Sequence, residues 1–566
     1  MEHKLTQRAV TPLRGTLART VAYAFLWSAS APAGVFPAQI SVSSLAPENG
    51  GDGSTGFVIA PFEPFASLGF PVSTLGDFNG DGVDDVVIGT GLFSTGRRPL
   101  TYVLFGNPAG FPARYELGDL RPGSGGDGSE GVILLGARID ENTGGLDRAD
   151  DLNGDGFADL IIGAANIAQT GQAYIVFGAD DYGPLFDLGT LFPALGGDGS
   201  RGVVVLGEAQ GDDFALDVAY AGDINADGLG DVVVGAPRLS RGGLDDLGAA
   251  YVLFGADASL SPLVSARGLR EEAGGDGTDG IVLTNVVEDG HAGEFVGGDG
   301  CDINADGIDD VVVSTAIQDG GDTFVYFGRQ GGFPPSFRLT DLYPGAGGDG
   351  SEGFVIDKLP IGFLQGDIAC AGDVNADGID DLLLAQAVAS NGDGVGRVIV
   401  LFGRSTPFPP RIDLRTLTIA GGGDGSEGVV LFGAAGEVAV SIGAGFTVAG
   451  LGDVNGDGVD DFGIGDLLGV PQSPGVAHVV FGRSEGFPAE FALRDLFAAN
   501  GGDGSRGFVI TTPEFDAALA SIDSAGDLNA DGLSDIIVGA FGANADDGEA
   551  YIIYGRSPPE LDEDTD

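Results

Sequence analysis

"GDFNGDGVDD", residues 76–85, holds four aspartates and one asparagine, and the apolar residues Val86, Val87 and Ile88 follow at once. Carboxylates this close repel one another unless a positive charge lies among them. The pattern Asp-x-Asn-x-Asp-Gly-x-x-Asp occurs seven times in the chain. Its copies begin at Asp77, Asp151, Asp223, Asp302, Asp373, Asp453 and Asp527. The acidic stretch is therefore one landmark of an internal repeat.

Two other motifs recur seven times in a fixed order with the acidic stretch. The first is Gly-Gly-Asp-Gly-Ser/Thr, which we interpret as a β-turn whose aspartate accepts local hydrogen bonds. The second is an apolar run that ends in an aromatic residue and glycine, such as "AYIVFG" at 173–178. The acidic copies are 74, 72, 79, 71, 80 and 74 residues apart. Each module is thus about 75 residues long, as a repeat architecture requires.

The modules read as short strands rich in β-branched and aromatic residues, bounded by glycine and aspartate. Four strands per module and seven modules predict an all-β fold, a seven-bladed β-propeller of four-stranded blades. The first module starts with the strand at 57–59 and the last ends with the strand at 551–554. We expect the N-terminal strand to pair with the last blade and close the ring. An open solenoid would need distinct capping modules, which the sequence lacks.

Oxygen donors in a flexible, strongly negative loop favour Ca²⁺ over Mg²⁺ or Zn²⁺. The glycine at position 6 permits a sharp bend, and the carbonyl of position 7 adds a donor. An EF-hand is excluded because it needs glutamate at position 12, where all seven copies have an apolar residue such as Ile88. A metal-free Asx turn stays the alternative. About seven Ca²⁺ ions, one per blade, are expected.

The predicted ligands occupy positions 1, 3, 5, 7 and 9 of every copy. They are Asp77, Asn79, Asp81, Val83 and Asp85; Asp151, Asn153, Asp155, Phe157 and Asp159; Asp223, Asn225, Asp227, Leu229 and Asp231; Asp302, Asn304, Asp306, Ile308 and Asp310; Asp373, Asn375, Asp377, Ile379 and Asp381; Asp453, Asn455, Asp457, Val459 and Asp461; and Asp527, Asn529, Asp531, Leu533 and Asp535.

The modules resemble FG-GAP repeats, which occur in the β-propeller of integrin α subunits and in secreted bacterial proteins. The third module is the best match, with Phe214, the loop at 221–231, and Gly235-Ala236-Pro237 as its "GAP". Other copies depart from that ending, for example Ser314-Thr315-Ala316. The resemblance implies a propeller with Ca²⁺ in hairpin loops on one face and adhesion or recognition on the other.

Composition limits the partners and suggests the location. The formal net charge of −58 argues against nucleic acid as a partner. Residues 1–33 combine basic, apolar and small regions and predict a signal peptide, so we expect a secreted or cell-surface protein. A linker at 34–49, the propeller at 50–555 and an acidic disordered tail at 556–566 complete the predicted organisation. No membrane span is expected, and whether Cys301 pairs with Cys370 stays open.

The sequence gives no set of residues for catalysis. His478 occupies a slot that is aromatic in most other modules and is expected in the core, while His291 has no evident partners. We therefore expect a monomeric, non-catalytic propeller that binds an extracellular protein or glycan. The alternatives are an extracellular hydrolase or lyase acting on polysaccharide or lipid, or a lectin. The lectin is weakened because Trp27, the one tryptophan, lies in the predicted signal peptide.

Overall fold

The computed structural model describes residues 35–557, apart from internal gaps. The gaps are 63–66, 92–96, 140, 166–169, 258–259, 286, 288–289, 316–320, 358–362, 389–395, 434–443, 467–473, 516 and 544–546. The predicted signal peptide at 1–33 lies outside the described residues. So does the predicted tail, except for Arg556 and Ser557.

The described residues form thirty-five strands. In chain order they are β1 (Gln39–Ser41), β2 (Gly56–Ala60), β3 (Leu68–Gly76), β4 (Asp85–Thr90), β5 (Leu100–Leu104), β6 (Arg114–Glu116), β7 (Gly131–Leu135), β8 (Asn142–Asp150), β9 (Asp159–Ala165), β10 (Gln172–Val176), β11 (Leu185–Asp187), β12 (Gly202–Leu206), β13 (Val218–Gly222), β14 (Asp231–Ala236), β15 (Ala249–Leu253), β16 (Leu263–Ser265), β17 (Gly280–Thr284) and β18 (Ala292–Cys301). They continue with β19 (Asp310–Thr315), β20 (Thr323–Tyr326), β21 (Ser336–Arg338), β22 (Gly353–Asp357), β23 (Phe363–Gly372), β24 (Asp381–Val388), β25 (Arg397–Leu401), β26 (Arg411–Asp413), β27 (Gly428–Phe432), β28 (Ala444–Gly452), β29 (Asp461–Asp466), β30 (Pro474–Val480), β31 (Glu490–Ala492), β32 (Gly507–Phe515), β33 (Ser521–Gly526), β34 (Asp535–Ala540) and β35 (Glu549–Ile553).

Short 3₁₀ helices lie in pairs before each Gly-Gly-Asp-Gly turn. Their bounds are Val42–Leu45 and Pro47–Asn49, Leu117–Leu120 and Pro122–Ser124, Leu188–Leu191 and Pro193–Leu195, Ala266–Leu269 and Glu271–Ala273, Leu339–Leu342 and Pro344–Ala346, Leu414–Leu417 and Ile419–Gly421, and Leu493–Leu496 and Ala498–Asn500. Within the described residues, no helix has the length and apolar character needed to cross a membrane.

The strands form seven sheets, which are the blades of a seven-bladed β-propeller, as predicted. From the axis outward, the blades are β3-β4-β5-β7-β11, β8-β9-β10-β12-β16, β13-β14-β15-β17-β21, β18-β19-β20-β22-β26, β23-β24-β25-β27-β31, β28-β29-β30-β32-β1 and β33-β34-β35-β2-β6. We number them blades 1 to 7 in that order. Each innermost strand contacts those of both neighbouring blades, so the ring is closed.

Blades 6 and 7 are completed by the N-terminal segment. Strand β2 pairs antiparallel with β35, with Val58 opposite Tyr551 and Phe57 opposite Ile552. The predicted closure is thus confirmed. A second closing strand was not predicted. Strand β1 pairs in parallel with β32, with Gln39 opposite Val509.

Two expectations are therefore corrected. The blades have five strands rather than four, since a short parallel strand from the next module covers each outer edge. A strand of three half-exposed residues leaves too weak a pattern to detect. Residues 35–49 of the predicted linker at 34–49 are part of the propeller rather than a linker. Phe36 is 2% exposed and stacks on Phe508 with ring centroids 4.4 Å apart.

The Gly-Gly-Asp-Gly motifs form the predicted local turns. In the first copy, Asp52 Oδ1 accepts hydrogen bonds from the Ser54 backbone N–H at 3.0 Å and from the Ser54 hydroxyl at 2.6 Å. The same pair of bonds recurs in the other six copies. These aspartates are fully engaged in shaping their turns, as expected.

Candidate metal centres in the hairpin loops

Each acidic loop joins the innermost strand of a blade to the second strand. In blade 1, β3 ends at Gly76 and β4 begins at Asp85, so positions 1 to 8 form the hairpin connection and position 9 opens the next strand. All seven copies have this placement. Because every blade presents the same connection, the seven loops lie together on one face of the propeller.

The carboxylate at position 1 organises the loop around itself. Asp77 Oδ1 accepts from the Asp81 backbone N–H at 2.9 Å, and Oδ2 accepts from the Gly82 N–H at 2.9 Å. The two equivalent bonds occur in the other six loops. The bend at position 6 therefore brings the chain back onto the first aspartate.

The carboxylate at position 9 is buried and joins the loop to its own blade. Asp231 is fully buried; its Oδ1 accepts from the Gly255 N–H at 2.9 Å and its Oδ2 from the Ile224 N–H at 3.1 Å. The glycine belongs to the aromatic-glycine motif after the third strand. A position 9 aspartate binds this glycine in every blade.

Burial and, to a lesser extent, the nearby carboxylates of Asp227 and Asp223 together raise the pKa of the Asp231 carboxyl to about 8. The pKa of position 9 is raised to about 8 in the same way in five other loops. For Asp310 burial likewise places the pKa well above its ordinary value. Each loop thus places a buried carboxyl, whose pKa is raised, among other carboxyl groups.

The remaining predicted ligands are less tightly placed. Asn79 Oδ1 accepts from the Asp81 N–H at 2.8 Å, and Asp81 Oδ1 accepts from the Val83 N–H at 3.0 Å. Asn225 Oδ1, at position 3 of the third loop, is buried and has no hydrogen-bond partner. A bound cation or an ordered water can satisfy a buried oxygen of this kind.

The structure does not bring three carboxylates of one loop together at bonding distance from a common point. Among the described residues, one set of three acidic or sulfur side chains has all its ligand atoms within 4.8 Å, and it is Cys301, Cys370 and Asp380. Both sulfurs of that set belong to a disulfide between β18 and β23, with Cα atoms 5.4 Å apart. The cysteine pairing left open by the sequence is therefore settled in favour of a disulfide.

The donor set of the acidic loops nevertheless suits Ca²⁺. Each loop offers three carboxylates and one amide oxygen, and a carboxylate oxygen that accepts one N–H keeps a lone pair for a metal. If Ca²⁺ binds, positions 1, 3, 5 and 9 would hold it through side chains and position 7 through its carbonyl. The bound ion would supply positive charge at a bend where carboxylates crowd.

The loops are also linked around the ring. In each blade, the residue after the aromatic-glycine pair donates its backbone N–H to the position 2 carbonyl of the preceding blade's loop, as Asn107 does to Leu528 at 2.9 Å. The other pairs are Ala179 with Phe78, Ala256 with Leu152, Arg329 with Ile224, Arg404 with Ile303, Arg483 with Val374 and Arg556 with Val454. Sequence reasoning missed these links, because backbone groups leave no pattern in the sequence.

A second group of carboxylates, half-buried, lines the central channel, a cavity of about 840 Å³. They are Asp147, Asp217, Asp299, Asp367 and Asp523. Four of them accept a backbone N–H from a neighbouring innermost strand. Asp147 accepts from Tyr220 at 2.9 Å, Asp217 from Val296 at 2.9 Å, Asp299 from Cys370 at 3.2 Å and Asp367 from Val448 at 3.1 Å. These carboxylates join adjacent blades, and no sequence motif predicted this role.

His478 lies in the core, as predicted. It is 2% exposed, its ring lies 5.8 Å from that of Phe497, and neither ring nitrogen has a hydrogen-bond partner among the described residues. His291 is half-buried, and its backbone N–H donates to the Asp246 carbonyl at 3.0 Å. Neither contact assigns a catalytic role to these histidines.

Comparison with known proteins agrees with this architecture. The FG-GAP repeat family model matches residues 72–104, 148–176 and 218–253, which hold the first three strands of blades 1, 2 and 3. Phosphatidylinositol-glycan-specific phospholipase D of Rattus norvegicus is 29% identical over 220 residues, covering 36% of this chain and 23% of that protein. The human enzyme of the same name is 30% identical over 187 residues, covering 32% of this chain and 19% of that protein.

Integrin alpha pat-2 of Caenorhabditis elegans is 29% identical over 207 residues, covering 35% of this chain and 15% of that protein. The chain therefore matches less than a quarter of the length of each of these relatives. Three FG-GAP repeats are thus recognised within the seven-bladed ring, and part of the chain is similar to integrin α subunits.

Proposed function

We propose that the protein is an extracellular, calcium-stabilised propeller that binds a protein or glycan and has no catalytic activity of its own. The observation that carries the calcium part is the sevenfold recurrence of one loop with four side-chain oxygen donors, three of them carboxylates. The aspartate at position 9 has a structural role in its own blade, and the repeated donors at positions 1, 3 and 5 beside it are what calcium binding would explain.

Recognition is proposed on the face opposite the acidic loops. There the connections between second and third strands differ among modules, from the six residues 166–171 in blade 2 to the twelve residues 237–248 in blade 3. The acidic face repeats one motif seven times and offers little to distinguish one blade from another. Variable loops on a rigid scaffold are the usual place for recognition.

The location outside the cytoplasm is supported by the disulfide between Cys301 and Cys370, since such bonds persist in oxidising compartments. Integrin α relatives support adhesion as the kind of interaction. Neither argument identifies the ligand, which we define only as a protein or glycan.

The calcium part is tested by thermal unfolding of the full chain with excess CaCl₂ and with EDTA, combined with calcium titration by calorimetry. We expect a higher Tm in CaCl₂ and uptake of about seven ions, because a ligand that binds the folded state stabilises it. Equal melting temperatures together with no binding heat would overturn the proposal. MgCl₂ at the same ionic strength is the control for charge screening.

The competing function is hydrolysis of a lipid or glycolipid, which the phospholipase relatives favour. Assay of the purified chain against glycosylphosphatidylinositol-anchored substrates separates the two functions. Release of the anchored protein by the chain alone would contradict the non-catalytic proposal. Binding to an immobilised glycan or extracellular protein array without such release would support it.

A further inference from the structure

The seven acidic loops are not equivalent, and the difference lies at position 4. Loops 1, 2 and 6 have glycine there (Gly80, Gly154 and Gly456), whereas loops 3, 4, 5 and 7 have alanine (Ala226, Ala305, Ala376 and Ala530). All seven residues have positive φ, near +75° for the glycines and near +60° for the alanines. The backbone at position 4 is thus left-handed in every loop, and the loops differ in the residue that occupies it.

The glycine loops make one kind of contact with the following blade. There, position 8 of the next loop is Ala158, Gly230 or Ser534, and its backbone N–H donates to the position 1 carbonyl at 3.0, 3.2 and 3.3 Å respectively. The contact is made by backbone groups alone and brings no charge to the loop. In loop 1 the glycine is required, since a Cβ on Gly80 would collide with the Phe157 ring of the next blade.

The alanine loops make a different contact, in which position 8 of the next blade is always aspartate. Asp309 Oδ2 accepts from the Asp223 N–H at 2.7 Å, and Asp84 Oδ2 accepts from the Asp527 N–H at 2.8 Å. Asp380 and Asp460 accept from position 1 in the same way, from Asp302 at 3.1 Å and from Asp373 at 2.9 Å. Position 4 and the neighbouring blade's position 8 thus vary together across all seven interfaces.

We call this position 8 carboxylate of the next blade the borrowed carboxylate, and the alanine loops leave space for it. It lies against the residue before position 1, and a Cβ on Gly222, Gly372 or Gly526 would collide with the carboxylate of Asp309, Asp460 or Asp84. Since its bonded oxygen is held by the position 1 N–H, this aspartate stands beside the loop as a fixed negative charge. The same hydrogen bond holds the backbone of the first predicted ligand.

We propose that the loops form two affinity classes for Ca²⁺, with four tighter sites in blades 3, 4, 5 and 7 and three weaker sites in blades 1, 2 and 6. This rests on the proposed calcium binding. The positioning residues are the position 8 aspartates Asp84, Asp309, Asp380 and Asp460. They raise the affinity for Ca²⁺ because they add negative charge beside the loop and hold the backbone of position 1 in place. Affinity of calcium loops is set by charge count and rigidity.

The test is calcium titration of the full chain against a competing fluorescent chelator. We expect two classes of sites in a ratio of four to three. In the variant D84N/D309N/D380N/D460N, asparagine keeps an acceptor for the position 1 N–H and removes the charge. The four tighter sites should then weaken by roughly tenfold, while the three weaker sites stay unchanged. The variant E48Q/D119N/D341N/E271Q removes four charges from the outer 3₁₀ helices and should leave both classes intact.

A gain-of-function variant keeps the proposal testable if the fourfold variant does not fold. A158D/S534D places the borrowed carboxylate beside loops 1 and 6, where Gly76 and Gly452 precede position 1. It should convert the ratio from four to three into six to one. Seven equivalent sites in the parent chain, or no shift in either variant, would overturn the two classes and leave calcium binding intact. No calcium binding at all would instead overturn the proposed function.

Discussion

The Oδ1 atom of Asp85 accepts a hydrogen bond from the backbone N–H of Gly106 at 2.8 Å, and this bond joins the acidic loop to the end of the third strand. The contact spans 21 residues and recurs in every blade. It makes the last aspartate of the motif a part of the core as well as a candidate metal ligand. Its removal should therefore matter even without metal.

Replacement of Asp231 by alanine is expected to destabilise the propeller in EDTA as well as in Ca²⁺. The change leaves the Gly255 and Ile224 N–H groups without their acceptor, at a cost of about 1–3 kcal/mol each. Urea unfolding measures the loss. Asp227→Ala, which removes an exposed carboxylate from the same loop, is the matched control and should act mainly in Ca²⁺. Equal effects of the two variants in EDTA would contradict a structural role for position 9.

The pH dependence of stability should differ between the metal-free and calcium-loaded protein. Position 9 carboxyls have a folded pKa of about 8, above the ordinary value of 3.8. A raised pKa means that the folded state binds more protons, so stability falls as pH rises toward and through 8. Calorimetry in EDTA should show Tm decreasing from pH 5 to pH 9, whereas Ca²⁺ should reduce that decrease. A flat profile in EDTA would disagree with the burial of these groups.

Loss of the disulfide should weaken the ring between blades 4 and 5. Cys301 and Cys370 are 69 residues apart, and closing a loop of this size stabilises a fold by about 2–4 kcal/mol. The variant C301S/C370S should unfold at lower urea concentration than the parent, and dithiothreitol should lower the parent to the same midpoint. The reductant should leave the variant itself unchanged. Identical midpoints for all samples would mean that the two sulfurs are not bonded in solution.

His478→Phe is expected to stabilise the protein by about 1–3 kcal/mol, because a buried imidazole without partners is replaced by an apolar ring of similar size. Burial lowers the pKa of His478 to about 4. The unfolded state therefore binds more protons between pH 6.5 and pH 4, and stability falls over that range as pH decreases. The variant should lose this part of the acid dependence, as measured by urea midpoints. His291→Phe is the control at a half-buried site.

Deletion of residues 35–46 should lower Tm, since it exposes the outer edge of β32 and removes Phe36 from its stack on Phe508. It also removes the aromatic ring that the Arg556 guanidinium covers at 5.1 Å. Phe36→Ala tests the aromatic contact alone and should cost about 3–5 kcal/mol. Unchanged stability of both proteins would mean that this segment is a linker that does not stabilise the propeller.

The repeat spacing alone predicted the ring and its closure through β2, because three landmarks in fixed order leave few other folds. The repeat spacing did not predict the fifth strands. The sequence held one signal for them, because Phe36-Pro37-Ala38 repeats Phe487-Pro488-Ala489 and indicates that the repeat already begins in the N-terminal segment. The grouping of carboxylates in the channel could not be predicted from the sequence for a different reason. Asp217 and Asp299 occupy different positions relative to their loops, so only the curvature of the ring brings them to one axis.

The two outer strands of most blades come from later in the chain than their three inner strands, but the outermost strand of blade 6, β1, and the two outer strands of blade 7, β2 and β6, come from the N-terminal part of the chain. During synthesis, β1 and β2 leave the ribosome before their partners β32 and β35 exist. Strands β1 and β2 must therefore wait, with unpaired edges, until β32 and β35 have been translated. Ring closure is then the final assembly event, and the interval before it is the period of greatest risk for aggregation.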